Sequence, residues 1–145
     1  MGEGRALMER HYRGLDAHDM DQAVTVFSDD VLTHFAGMRD IHGRDQFKVL
    51  GGAFIEAFPD SSIHPASIWE AGDAVISEGT YSGTHTATLR SPNGDIPATG
   101  RHMDLHYADI MRVRDGQVFY HAVYFDSAEM MAQLGLMPDA TAATA

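Results

Sequence analysis

Asp109 and His121 are the residues of this 145-residue chain whose types and spacing could do acid–base chemistry together. They sit on two stretches of alternating polarity, 103–113 and 117–126, joined by Arg114-Asp115-Gly116. A three-residue loop ending in glycine suits a type I turn followed by a left-handed bulge residue. In that register Val113 pairs with Gln117 and Asp109 faces His121, their Cβ atoms roughly 4.5–5.5 Å apart. Met103, Leu105, Tyr107, Met111, Val113, Phe119, Val123 and Phe125 share the face, so a carboxylate and an imidazole would meet on an apolar surface. Asp109 would then orient the ring and raise its basicity, and His121 would move a proton, help worth about 10²- to 10⁴-fold in rate. The plainer reading is a satisfied ion pair that braces the sheet. A two-residue Asp-Gly turn is the competing register. It would pair Arg114 with Gln117 and set Asp109 opposite Ala122, on the wrong face.

Other side chains could serve the same cavity. His34, on a short strand, is a third catalytic candidate, with a rim or exposed position as its alternative. Tyr12 and Tyr81 could donate hydrogen bonds to a ketone or epoxide oxygen, or pack with satisfied hydroxyls. Trp69, Phe54, Met111 and Phe119 read as pocket wall or core, and Tyr107 and Val123 join the binding surface from the apolar face. His102, Asp104 and His106 alternate on the opposite face, where a divalent metal is conceivable. No second ligand pair stands at a diagnostic spacing, so no metal is expected and a polar outer face at a dimer contact is preferred. The glycines form no phosphate-binding fingerprint.

These residues need elements to hold them. Leu7, Met8, His11, Tyr12 and Leu15 recur at helical spacing. Asp19 is placed to cap a second helix, with Gln22 in the capping-box position and Asp29-Asp30 at its end. A short strand follows over 31–35. Phe47, Leu50, Phe54 and Phe58 stripe a third helix over 44–57, stopped by Pro59. Period-2 patterning then gives strands over 62–69 and 74–88, with bends at Gly79 and Gly83. The hairpin comes next, and Ser127 is placed to cap a short last helix closed by Gly135. Helices first and a meander afterwards predict an α+β domain with helices on one face of a curved sheet.

Composition narrows the function classes. A length of 145 residues and 44% hydrophobic content suit one domain over 1–138, followed by a disordered tail, 139–145. The net charge of −11 and the scattered basic residues disfavour nucleic acid and anionic membranes. There are no cysteines, which excludes disulfides and thiolate chemistry. No stretch nears the roughly 18 apolar residues of a membrane span, and the start lacks the apolar core of a signal peptide. A cytoplasmic protein is expected.

The order of motifs resembles the SnoaL-like polyketide cyclase branch of the NTF2-like superfamily. The matching residues run from Tyr-Arg-Gly-Leu-Asp-Ala-His-Asp at 12–19 through Phe27-Ser28-Asp29-Asp30 and His34. Gly43-Arg44 with Phe47, Ala57-Phe58-Pro59-Asp60, Gly83-Thr84-His85-Thr86 and Ala98-Thr99-Gly100-Arg101 follow. Asp109-Ile110-Met111-Arg112, Asp115-Gly116, His121, Asp126 and Gln133-Leu134-Gly135 complete the set. The resemblance implies a cone-shaped α+β barrel, commonly dimeric, around an apolar pocket. About three N-terminal helices would wrap the sheet, with a short helix at the end. It also implies cofactor-free chemistry on polyketide-like or polycyclic molecules. One departure stands out: cyclases of this type carry a catalytic Asp two residues after a His on the last strand, and here that position is Val123. The position that is often His in them is Asp109, where steroid isomerases place an acidic hydrogen-bond donor. The isomerase base would fall near Phe35, which cannot accept a proton.

Together these readings predict a cofactor-independent enzyme of secondary metabolism, a homodimer, performing cyclisation, isomerisation or epoxide opening. A non-catalytic domain binding a small hydrophobic ligand, or a cofactor-free hydroxylase, is the alternative.

Overall fold

The computed structural model describes residues 2–137; the expected tail, 139–145, and the domain boundary at 138 lie outside them. Helix α1 (Glu3–Asp16) leads into a one-turn helix α2 (Met20–Ala23) and a 3₁₀ turn (Val24–Val26). Strands β1 (Phe27–Phe35) and β2 (Ile41–His42) precede helix α3 (Arg44–Ala57). Strands β3 (Ser62–Ala71), β4 (Ala74–Thr84), β5 (His102–Arg114) and β6 (Gln117–Phe125) then form a meander that ends in helix α4 (Ser127–Gln133). The six strands make one curved, unclosed sheet in the order β2-β1-β6-β5-β4-β3. Only the β1–β6 pair is parallel; it brings the first strand beside the last. This is the expected α+β architecture, with α1 and α3 packed on the concave face.

Local chemistry explains most boundaries. The Asp19 carboxylate accepts from the Gln22 backbone N–H at 3.1 Å and starts α2. That helix stops sooner than the sequence implied, and β1 begins at Phe27 rather than Val31. Asp126, not Ser127, caps α4, accepting from the Glu129 N–H at 3.1 Å. Strand β4 ends at Thr84, four residues short of the expected 88.

The hairpin is the main correction. Asp115 and Gly116 both have positive φ, 54° and 75°, which makes a two-residue turn of the primed type that joins twisted strands. Arg114 therefore pairs with Gln117 and Val113 with Val118, as in the competing register. The pairing then slips, and Arg112 faces Tyr120, so Phe119 is an extra residue on β6. The guanidinium groups of Arg112 and Arg114 cover its ring, 5.4 and 4.2 Å from its centroid. A bulge adds one residue and so reverses which side chains face the core. It returns His121, Val123 and Phe125 to the concave side. Asp109 and His121 thus share a face, but Asp109 stands opposite Val123 and His121 opposite Met111.

Two glycines let the layers approach. A Cβ on Gly14 of α1 would lie 2.5 Å from the Ala23 backbone nitrogen, so only glycine lets α1 cross α2 this closely. A Cβ on Gly79 would strike the backbone of His64 and Pro65, where β3 bulges against β4. Gly14→Ala is expected to cost about 1–3 kcal/mol, the usual range for overpacking. Urea denaturation measures it; an unchanged midpoint would show that α1 has room to move.

Candidate active site

A cavity of about 100 Å³ lies between α1, α3 and the concave face of the sheet. Leu15, Leu50, Phe54, Ile63, Leu105 and Phe125 are among the apolar side chains of its wall. Its polar groups are few: Asp109, His121, His11, Tyr81 and Tyr107. Alternation along β5 aims Leu105, Tyr107 and Asp109 at it, and β6 contributes His121, Val123 and Phe125.

Asp109 is buried, and its Oδ2 accepts a 2.7 Å hydrogen bond from the Tyr12 hydroxyl of α1. Oδ1 has no partner among the described residues. Burial without a cation pushes the Asp109 carboxyl up to about 7, and the Tyr12 bond offsets part of that rise. Tyr12 is pushed upward in turn, by burial first and then by the charge of Asp109, so it remains a proton donor. Beside them the Tyr107 hydroxyl and the Ser77 Oγ are 3.2 Å apart.

Burial disfavours the charged form of both histidines of the wall. His121 is buried, and burial together with the nearby His11 holds it well below the ordinary imidazole range. Neither of its ring nitrogens has a partner among the described residues. Its ring packs against Phe27, Phe47 and His11 at centroid distances of 5.3, 5.4 and 5.5 Å. His11 is lowered to about 4 by burial. Its Nδ1 lies 2.8 Å from the Ala23 carbonyl, which can only accept, so Nδ1 carries the proton and Nε2 the lone pair. Thr33 pairs with His121 across the parallel strands, and its buried Oγ1 is also unpartnered among the described residues.

A match to known proteins decides the family. The model of SnoaL-like polyketide cyclases covers residues 5–134. The chain belongs to that family. No match was found among curated proteins. Solved structures share the fold at low identity. AclR from Streptomyces galilaeus, a candidate hydroxylase, is 23% identical with a TM-score of 0.80, over 96% of this chain and 85% of that one. IdmH from Streptomyces antibioticus, a candidate polyketide cyclase, is 24% identical with a TM-score of 0.74, over 91% and 98%. An LEH-like epoxide hydrolase from M. tuberculosis is 19% identical with a TM-score of 0.70, over 99% and 97%. A further neighbour has the ketosteroid isomerase-like fold. No helix among the described residues is long and apolar enough to cross a membrane.

In this SnoaL-like chain the expected site residues separate into three groups. Asp109, His121, Phe54, Tyr81, Tyr107 and Val123 line the cavity. Tyr12 and Met111 are buried behind that wall, Tyr12 touching the site through Asp109. His34, Trp69 and Phe119 are elsewhere. The His34 side chain is 43% exposed and pairs with Asp40 at 2.9 Å, because its place on β1 points it away from Thr33 and Phe35. Trp69 is 52% exposed near the end of β3, and Phe119 sits in the bulge. The expected Asp109–His121 hydrogen bond is not made. Diagonal neighbours on paired strands lie roughly 7–8 Å apart, and Tyr12 takes the carboxyl instead. Sequence reasoning missed His11, whose helical spacing was equally that of core, along with Phe35 and Gly51 as wall residues. On the outer face His102 Nδ1 lies 3.0 Å from Thr84 Oγ1 and His106 Nε2 3.5 Å from Glu78. No group of three or more possible metal ligands occurs among the described residues.

The Asp109 shift has a signed consequence for stability. The folded protein holds this proton where the unfolded chain has lost it, so stability falls as pH rises from about 4 through about 7. The full effect is on the order of 4 kcal/mol. Asp109→Asn, measured by urea denaturation, should gain on the wild type by up to that amount between about pH 4 and pH 8. A difference that stays constant with pH would show that the carboxyl ionises normally.

Proposed function

We propose that this SnoaL-like protein is a cofactor-independent enzyme of secondary metabolism. It acts on a neutral, apolar, polyketide-like molecule whose reacting end enters the cavity, with Asp109 moving the proton. The observation that carries the reading is a buried carboxyl with one oxygen held by Tyr12 and the other free, at the wall of an apolar cavity. A group that titrates near neutrality can both take and return a proton. Ionised Asp109 would remove a proton from the carbon next to a ketone or ester carbonyl. The uncharged His121 would donate its N–H to the enolate oxygen. In a cyclisation the enolate carbon attacks a second carbonyl of the same molecule, and the new alkoxide recovers the proton from Asp109. In an isomerisation the proton returns to another carbon. Both leave Asp109 as it began, so one carboxyl suffices. The division of labour differs from the sequence reading, in which His121 was the base: burial disfavours its charged form.

Turnover of a panel of polyketide methyl esters and polycyclic ketones tests the reading. Asp109→Asn should lose about 10²- to 10⁴-fold in kcat/KM. The wild-type profile should rise with pH through about 7, since the ionised form is the base. Full activity in the Asn variant would overturn it. The second reading is a non-catalytic binding domain, favoured by the apolar lining and by Val123 where cyclases of this type have Asp. Tight binding with recovery of unchanged ligand would support that instead.

Homodimerisation is proposed through the convex face. There Trp69, Ile76, Ile110 and Ala122 form a row across four paired strands, flanked by the exposed Tyr124. Trp69→Glu should shift sedimentation towards the monomer; a wild type that sediments as a monomer would end the proposal.

A further inference from the structure

We infer that the cavity also binds a compact apolar organic cation, an alkylammonium head, as an ion pair with Asp109 inside a cage of aromatic rings. The inference goes beyond the proposed turnover and does not rest on it. Phe35, Phe47, Phe54, Tyr81, Tyr107 and Phe125 all line the space. Asp109 is the only carboxylate in that lining, and no Lys or Arg joins it. A buried carboxylate lacking a cation is expensive. Here the protein supplies one neutral donor, Tyr12, and leaves Oδ1 unpartnered among the described residues.

An alkylammonium ion matches this arrangement on two counts. Its charge answers the carboxylate, and its methyl groups face rings that attract a cation within about 6 Å of their centroids. A primary ammonium would need three acceptors, which the wall does not offer. A tertiary or quaternary head needs one or none. The cavity, about 100 Å³, is of the size of such a head.

The groups around Asp109 do not oppose the pairing. From α1 come Tyr12 and His11, from β4 Ser77 and Tyr81, from β5 Tyr107, and from β6 His121. Burial keeps both histidines uncharged and all three tyrosines protonated. The α3, β1 and β3 lining has no titratable side chain. Asp16, at the end of α1, adds negative potential felt at Tyr81 and Tyr107.

Isothermal titration with tetramethylammonium chloride tests the inference, with tert-butanol as the neutral molecule of similar shape and ionic strength held constant. Tetramethylammonium should bind about tenfold or more tighter at about pH 8.5 than at about pH 5.5, as the carboxylate forms. tert-Butanol should bind weakly and without that dependence. Asp109→Asn, checked for folding by circular dichroism, should lose the cation preference. Binding that is absent, equal for the two probes, or retained in the Asn variant would overturn the inference. If the variant does not fold, the wild-type pH dependence decides alone. Because the titration reads binding and not turnover, its failure is separable from failure of the proposed reaction.

Discussion

The hydrogen bond from Tyr12 to Asp109 joins the first helix to the fifth strand across 97 residues of sequence, and the rest of the site depends on it. It ties the helix to the centre of the sheet at a buried carboxyl on the concave face. It also decides which carboxyl oxygen is committed and which is free. Without a donor there, a buried acid among Val123, Tyr107 and Phe125 would have only apolar or competing neighbours. Gly14 makes the bond possible from the other side: α1 approaches Ala23 closely enough that the His11 Nδ1–H reaches the Ala23 carbonyl. The same helix turn therefore orients Tyr12 towards the carboxyl and fixes the tautomer of His11.

Around that bond the site is assembled from groups that burial keeps uncharged. His11 and His121 resist protonation, and Asp109 resists ionisation, for one reason: the charged form loses water and gains no opposite charge. Their effects on stability oppose each other. The histidines stabilise the fold above about pH 6.5 and lose that contribution as pH falls, His11 towards about 4. Asp109 favours the acid side of about 7. The slopes offset across the mildly acidic range and separate above it, where only the carboxyl still titrates. A functional group that changes charge near neutrality is thereby placed in a fold whose other buried groups are silent there.

The architecture was legible because α1 and α3 carry strong helical stripes and the meander carries period 2. The face of Asp109 and His121 was legible for the same reason, though by a route that partly cancelled. Asp115-Gly116 makes the tight turn, which by itself would turn β6 over, and the bulge at Phe119 turns it back. Parity survives such a pair of changes, whereas register moves by two, which removes the expected dyad. A bulge leaves no mark in a run as apolar as Val118-Phe119-Tyr120. Distant partners are harder still. Nothing near position 109 names Tyr12, and His11 has the spacing of core because it is core as well as wall. His34 was read as reaching the cavity from its short strand, but alternation on β1 turns it outward between Thr33 and Phe35, and a two-residue strand at Ile41–His42 was invisible.

Val123 gives the site its own character. It stands directly opposite Asp109 on the paired strand. A carboxyl at that position would disfavour ionisation of Asp109 further. An isopropyl group adds no charge there and dries the carboxyl it faces. That carboxyl therefore responds to burial and to Tyr12 alone. The proposed reaction and the inferred cation binding both turn on the protonation state of one carboxyl, Asp109, and not on a hydrogen-bonded relay.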